Sequence, residues 1–295
     1  MCAMNQEDGA TPPRKNALQW DSIPRRTPST GKGTDKGASG DICQSKEDTA
    51  YNMNHRRRSV CIIIVIDNAP PFKTEQPSGI CIPIRNREDF SYVNRITDTF
   101  TDLGFECRHH FDIGKERVLT ILKTEAKDKR NTERNMFVCF FISYMGPKEH
   151  RLYCTSDEPV TEKELVEPFN GTNCPTLLGK PKLFFIHTRK CQQHMSKCPN
   201  TWNYTLPVQS DFFVCNSGQQ TEGKGAGDEF FLHFCDVFEM AAESKNQEDF
   251  RALLREVNRR LMMVAGDGDI RLPSQVSTLT RRLCLSRRSQ EPGCS

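Results

Sequence analysis

Lys180-Pro181-Lys182-Leu183-Phe184-Phe185-Ile186-His187-Thr188-Arg189-Lys190-Cys191 is the stretch on which the reading of this chain turns. Its apolar part, Lys182 to Ile186, has the continuous hydrophobicity of a strand covered on both faces. Working outward, Met136 to Tyr144 and Val60 to Ile66 carry the same signature, and Phe105 to His110 reads as a further strand. Helices are expected between them. One spans about Asp89 to Leu103, with Val93, Ile96, Phe100 and Leu103 at helical spacing and Gly104 just past the end. Others cover Lys115 to Lys127 and Thr161 to Phe169. Alternation of strands and helices predicts an α/β sheet with helices on both faces. Beyond the quoted stretch, about 188–209 is irregular and 216–227 is a Gly-rich loop. Asp211 to Cys215 reads as a strand, and helices follow at about Glu229 to Glu243 and Gln247 to Met263. A last strand is expected at Gln275 to Leu285. In open α/β sheets chemistry sits at the carboxyl ends of the strands, so the loops after Ile66, Tyr144 and Ile186 matter most.

Composition narrows the class. The chain has 295 residues and a net charge of +3. Residues 1–58 hold ten Lys/Arg and seven Asp/Glu, and that excess equals the whole net charge. The balanced remainder argues against bulk nucleic-acid binding. Gly, Pro, Ser, Thr and Lys dominate 1–58 without apolar periodicity, which predicts a disordered extension, and Arg56-Arg57-Arg58 reads as its solvated boundary. Residues 67–88 read as loop. The longest apolar run, Val60 to Ile66, is too short to span a bilayer, and the amino terminus has no secretory h-region. A reduced, cytoplasmic location is therefore expected, in which most of the fourteen cysteines serve as small hydrophobes.

Several segments together resemble the caspases, cytosolic cysteine proteases that cut after Asp. Asn173-Cys174-Pro175-Thr176-Leu177-Leu178-Gly179 leading into Lys180 to Ile186 resembles the approach to the family's nucleophile. Leu206-Pro207-Val208-Gln209-Ser210-Asp211-Phe212 is similar to the start of its small subunit. Val257-Asn258-Arg259-Arg260 resembles part of that subunit's second helix, and Pro273-Ser274-Gln275-Val276-Ser277-Thr278-Leu279 its last strand. The resemblance covers about 59–286. It implies the caspase-hemoglobinase fold, with a roughly six-stranded, mostly parallel sheet. It divides the chain into an extension (1–58), a large-subunit-like region (59–198), a linker (199–206), a small-subunit-like region (207–286) and a tail (287–295).

The same resemblance places the catalytic positions and finds them substituted. The family signature is Gln-Ala-Cys-x-Gly directly after the strand, with a His about 50 residues upstream. Counting from Ile186, the nucleophile position falls on Arg189 and the Gln position on His187. A guanidinium stays protonated and cannot attack a carbonyl. Cys191 lies two residues late, a displacement of about 6–7 Å along extended chain, whereas attack needs reacting atoms about 3–3.5 Å apart. Cys191 could serve only in a rebuilt loop. The family's Ser-His-Gly becomes Ser143-Tyr144-Met145-Gly146, so the His position falls on Tyr144 or Met145. His150 reads as a loop histidine, and His109 and His110 end the second strand. Of the guanidinium groups that hold a substrate Asp, Arg85 (or Arg87) lies near one position. The second has no counterpart, since 216–227 contains neither Trp nor Arg. No Asp occurs between Asp157 and Asp211, so the linker offers no site for Asp-directed cleavage.

The expectation is a catalytically inactive caspase homologue that needs no cofactor. It would regulate apoptosis or immune signalling by pairing with an active caspase, or with itself, through the last strand: Gln275, Val276, Ser277, Leu279 and Leu283. An unpaired apolar edge seeks a partner. Activation is favoured over inhibition, because a folded surface with an intact dimer strand would favour the competent dimer. Two alternatives stay open. One is an active cysteine endopeptidase using Cys191, with His187 or His150. The other is a zinc-binding interaction module built on His187, Cys191, His194 and Cys198, whose ligand types suit Zn²⁺.

Overall fold

A computed structural model describes residues 50–68, 72–73, 80–81, 91–145, 151–155, 158–189, 210–218, 229–244, 248–265 and 272–285. The strands β1 (Val60–Val65), β4 (Glu106–Phe111), β5 (Phe137–Met145), β8 (Lys182–Arg189), β9 (Phe212–Gly218) and β10 (Ser274–Ser277) form the main sheet. Its order is β10-β9-β8-β5-β1-β4. The first five in chain order are parallel, and β10 runs antiparallel to β9. Short strands β6 (Arg151–Tyr153) and β7 (Val160–Thr161) extend β5 at its carboxyl end. A separate two-stranded ribbon joins β2 (Phe72–Lys73) to β3 (Ile80–Cys81) within the stretch read as loop. The sequence missed all four short strands, because two or three residues are too few to show an alternation.

Three helices cover one face: α1 (Ser91–Asp102), α4 (Glu229–Glu243) and α5 (Phe250–Ala265). Helix α2 (Lys115–Ala126) and the short α3 (Glu162–Val166) cover the other. Each central strand is therefore buried on both sides, which is why its residues are apolar throughout. Aromatic rings fill the first layer. Phe140 of β5 stacks on Phe185 of β8 at 4.7 Å and meets the edges of Phe100 and Phe234 at 5.2 and 6.1 Å. Helix α1 ends where the sequence placed its stop. Gly104 takes φ of 84°, the Phe105 amide donates to Phe100 O, the Gly104 amide donates to Thr101 O, and the Phe100 and Phe105 rings lie 5.1 Å apart. This is a Schellman closure with its apolar contact, and only glycine adopts that φ without strain.

Residues 50–58, which the sequence assigned to the extension, have defined partners. Ala50 bridges Arg282, the Tyr51 amide donates to Arg282 O, and the Tyr51 hydroxyl donates to the buried Asp211 carboxylate at 2.6 Å. Residues 50–58 are thus part of the fold rather than of a disordered extension. The pairing is with Arg282, 231 positions beyond Tyr51, which local composition cannot reveal. The last strand is also shorter than Gln275 to Leu285. It stops at Ser277, after which Leu279, Leu283 and Leu285 turn into the core. Among the described residues no helix is long and apolar enough to cross a membrane.

Candidate functional site

Strand β8 does not end at Ile186. It continues through His187, Thr188 and Arg189, all buried, so Arg189 is the last strand residue rather than part of a following loop. These residues remain in the ladder because strands on both sides pair with them. On β5, Ile142, Ser143 and Tyr144 are their register partners; on β9, Ser217 and Gly218 stand opposite His187 and Thr188. Strand β9 likewise extends past Cys215, drawing Asn216, Ser217 and Gly218 out of the expected loop.

Arg189 and Tyr144 are adjacent at the carboxyl ends of β8 and β5. Asp67 follows the end of β1. The Arg189 Nη1 donates to Asp67 Oδ1 at 2.8 Å and to the Tyr144 hydroxyl at 3.4 Å. The Tyr144 hydroxyl in turn donates to Asp67 O at 3.4 Å, and the guanidinium carbon lies 5.5 Å from the Tyr144 ring centre. Exposure falls from 9% at Arg189 to 4% at Asp67 and 0% at Tyr144, so the ion pair is cut off from water. Burial opposes the charge on Arg189, but Tyr92, Tyr144 and Asp67 outweigh it and hold the guanidinium above its ordinary pKa.

The network continues across the sheet. Asp112, just past β4, adopts φ of 50° and accepts from the Asp67 and Asn68 amides, both at 2.7 Å, and from the Asn68 side chain. Aspartate tolerates this left-handed geometry better than most residues. Strand ends β4, β1, β5 and β8 are therefore laced in order by Asp112, Asp67, Tyr144 and Arg189. On the far side, His187 Nδ1 shares a 2.9 Å hydrogen bond with Ser217 Oγ, and its ring lies 4.9 Å from that of Phe231.

Chemically, this arrangement immobilises a fixed positive charge against a fixed negative one. Arg189 is neither a nucleophile nor a base, and the Asp67 carboxylate faces it. Cys61, Cys107, Cys139, Cys154, Cys174, Cys215, Cys235 and Cys284 are free thiols, and all but Cys107 and Cys284 are buried. Burial pushes the Cys154 and Cys235 thiols up to about 12 and those of Cys139 and Cys215 higher still, so these four are packing groups.

The sequence named Arg189, His187 and Tyr144, and the structure brings them to one end of the sheet. It did not name Asp67, Asp112 or Ser217, although it singled out the loop after Ile66 that holds Asp67. Met145 is the last residue of β5. Arg85, Arg87, Gly146, His150, Cys191, His194 and Cys198 lie outside the described residues. Among the described residues no three metal-ligating side chains cluster. Of the expected interface residues, Gln275 and Ser277 are exposed on β10 and Val276 is half-buried. Leu279 and Leu283 instead belong to the chain's own core. His109 is exposed and holds Thr97 Oγ1 at 2.7 Å.

Comparison with known proteins gives a consistent picture. The family model described as the caspase domain matches residues 92–284. The chain is 28% identical to caspase-6 of Gallus gallus over 94% of its own length and 98% of the relative's. It is 27% identical to caspase-3 of Felis catus, covering 80% of this chain and 87% of that one. Among solved structures, caspase-1 from Spodoptera frugiperda superposes with a TM-score of 0.63, at 21% identity over 82% of this chain and 95% of that one. That level of identity speaks for the fold alone.

Proposed function

Because the chain belongs to the caspase family, we propose that it is a member without the family's proteolytic chemistry, and that it regulates an active caspase by pairing with it. The observation that carries this reading is the buried ion pair of Arg189 with Asp67 under Tyr144. The family resemblance puts the nucleophile at Arg189 and the histidine at Tyr144 or Met145. Here Arg189 is locked by a salt bridge where a thiolate would have to move toward a carbonyl carbon. A residual set of backbone donors, without nucleophile and base, gives only a small fraction of a protease's rate.

The pairing surface is the open side of β10. The Thr278 amide donates to Phe212 O, so alternation along an antiparallel pair turns Val276 toward β9 and leaves the backbone groups of Gln275 and Ser277 facing outward. A strand of a second chain would add there, whether an active caspase or another copy of this protein. Activation of the partner is favoured, since docking a prefolded edge would order it, and inhibition is the alternative. The setting would be apoptosis or immune signalling in the cytoplasm. With no Asp between Asp157 and Asp211, the subunit linker would stay uncut and the chain in one piece.

The test is hydrolysis of fluorogenic peptides ending in Asp by the purified chain, with Cys191→Ala as control. The expected result is no turnover for either; turnover that Cys191→Ala abolishes would overturn the reading. Partner binding is tested by co-purification with caspases of the same cell, with and without Gln275→Pro. This substitution deletes an outward amide and is tolerated where that amide faces solvent. Loss of the captured caspase at unchanged melting temperature is expected, and capture of none by either protein removes the regulatory part of the proposal.

A further inference from the structure

One pair of cysteines differs from the rest. Cys61 of β1 and Cys107 of β4 are direct register partners in the parallel ladder. Both lie on the face covered by α1, where Cys61 is a core residue and Cys107 packs against the same cluster. Neighbouring strands lie about 4.7–4.9 Å apart, inside the span of about 4.4–6.8 Å between the Cα atoms of disulfides. Disulfide Cβ atoms average about 3.8 Å apart, so the sulfur-bearing carbons must draw together by about 1 Å. Strand β4 can yield that distance, because among the described residues it is the sheet's last strand and pairs with β1 alone.

The two thiols are also unequal. Cys61 is fully buried, whereas Cys107 is half-buried and accessible at the margin of α1. The Thr101 hydroxyl donates to the Cys107 sulfur at 3.7 Å, and in its thiol form Cys107 donates to Thr97 O at 3.7 Å. In support, the Cys61 thiol and the Thr101 hydroxyl lower the Cys107 pKa against the effect of burial, while burial raises that of Cys61.

We propose that Cys107 and Cys61 form a peroxide-responsive dithiol in which Cys107 is oxidised first and Cys61 resolves it into a disulfide joining β4 to β1. The oxidant is a hydroperoxide. The Cys107 thiolate attacks the terminal oxygen, the O–O bond breaks, hydroxide leaves, and a sulfenic acid forms. The Cys61 sulfur then attacks that of Cys107, the S–S bond forms, the S–O bond breaks, and water departs with the Cys61 proton. In sum two thiols lose two hydrogens and one hydrogen peroxide becomes two waters. This modification is independent of whether the chain hydrolyses peptides or pairs with a caspase.

The full chain titrated with hydrogen peroxide, alkylated under denaturing conditions and digested without reductant tests it by mass spectrometry. The expected product is a Cys61–Cys107 cross-linked peptide pair, two hydrogens lighter than its parts and reversed by dithiothreitol. In Cys61→Ala the Cys107 sulfenic acid has no resolving thiol, so trapping by dimedone and further oxidation to the sulfinic acid increase. Cys107→Ser abolishes the cross-link. Cys107 running to sulfinic acid in the unmodified sequence without a cross-link, or staying alkylatable while other cysteines oxidise, overturns the proposal. The peptide map of the unmodified sequence decides the matter even where a variant fails to fold.

Discussion

Arg189 and Asp67 face each other in a site that excludes water, and removing either takes from the other the opposite charge that it faces there. Such single losses cost about 3–5 kcal/mol, far more than the pair itself contributes over an apolar replacement. Arg189→Met and Asp67→Leu should each lower stability by about that amount in urea unfolding, and the double variant should lose less than the sum of the two. Additive losses would show that the pair is not energetically coupled. A carboxylate gives a second test at this scale. Asp128 accepts from the Arg130 side chain and amide and lies near Arg134, which lowers its pKa from 3.8 to about 2. A depressed carboxylate stabilises the fold fully above its unfolded pKa of 3.8 and loses that contribution as pH falls through about 2. The stability gap between the unmodified chain and Asp128→Asn should therefore narrow between pH 4 and pH 2 in acid-unfolding curves, and a gap independent of pH would contradict the assignment.

At the scale of elements, the first and last described segments meet over Asp211. This residue takes φ of 71° and its carboxylate accepts from Tyr51 and from Thr280, both at 2.6 Å. Tyr51→Phe removes one donor from a buried carboxylate and should cost about 1–3 kcal/mol. Tyr51→Ala also opens a cavity and should cost more; both are read from chemical denaturation. In the main sheet, Phe140 is enclosed by Phe100, Phe185, Phe231 and Phe234. Phe140→Ala should cost about 3–5 kcal/mol, because close-packed rings cannot collapse fully into the space left behind. The sequence located the long elements well. The helix over Glu229 to Glu243 has the bounds that its apolar spacing indicates, and α1 stops at Gly104 for the reason its sequence suggests. It was least accurate at the carboxyl ends of β8 and β9. There His187, Thr188, Asn216 and Ser217 look like loop residues, yet cross-strand partners hold them in the ladder.

For the whole molecule, two sheet edges are in play. Strand β4 carries Glu106 and Arg108 along one side, a charged pattern that discourages further strand addition. Strand β10 is short and polar outward, with Gln275 and Ser277 exposed. Sedimentation of the purified chain over a range of concentrations should show self-association that Gln275→Pro weakens and that changes at Leu279 affect only through folding, since Leu279 is core. Equal loss from both, with no change in melting temperature, would place the contact elsewhere.

Sequence alone determined the fold class here, because runs such as Val60 to Val65 and Phe137 to Ile142 can be accommodated only where a sheet is covered on both faces. It also pointed to Arg189 and Tyr144, since a count along a strand survives even when the strand's end is misjudged. Tertiary structure decided what those residues do. Asp67 lies 122 positions from Arg189, and Tyr51 lies 160 from Asp211. An ion pair or a buried hydrogen bond depends on which strand ends are neighbours, and β1, β5 and β8 become neighbours only through the order in which the sheet is assembled.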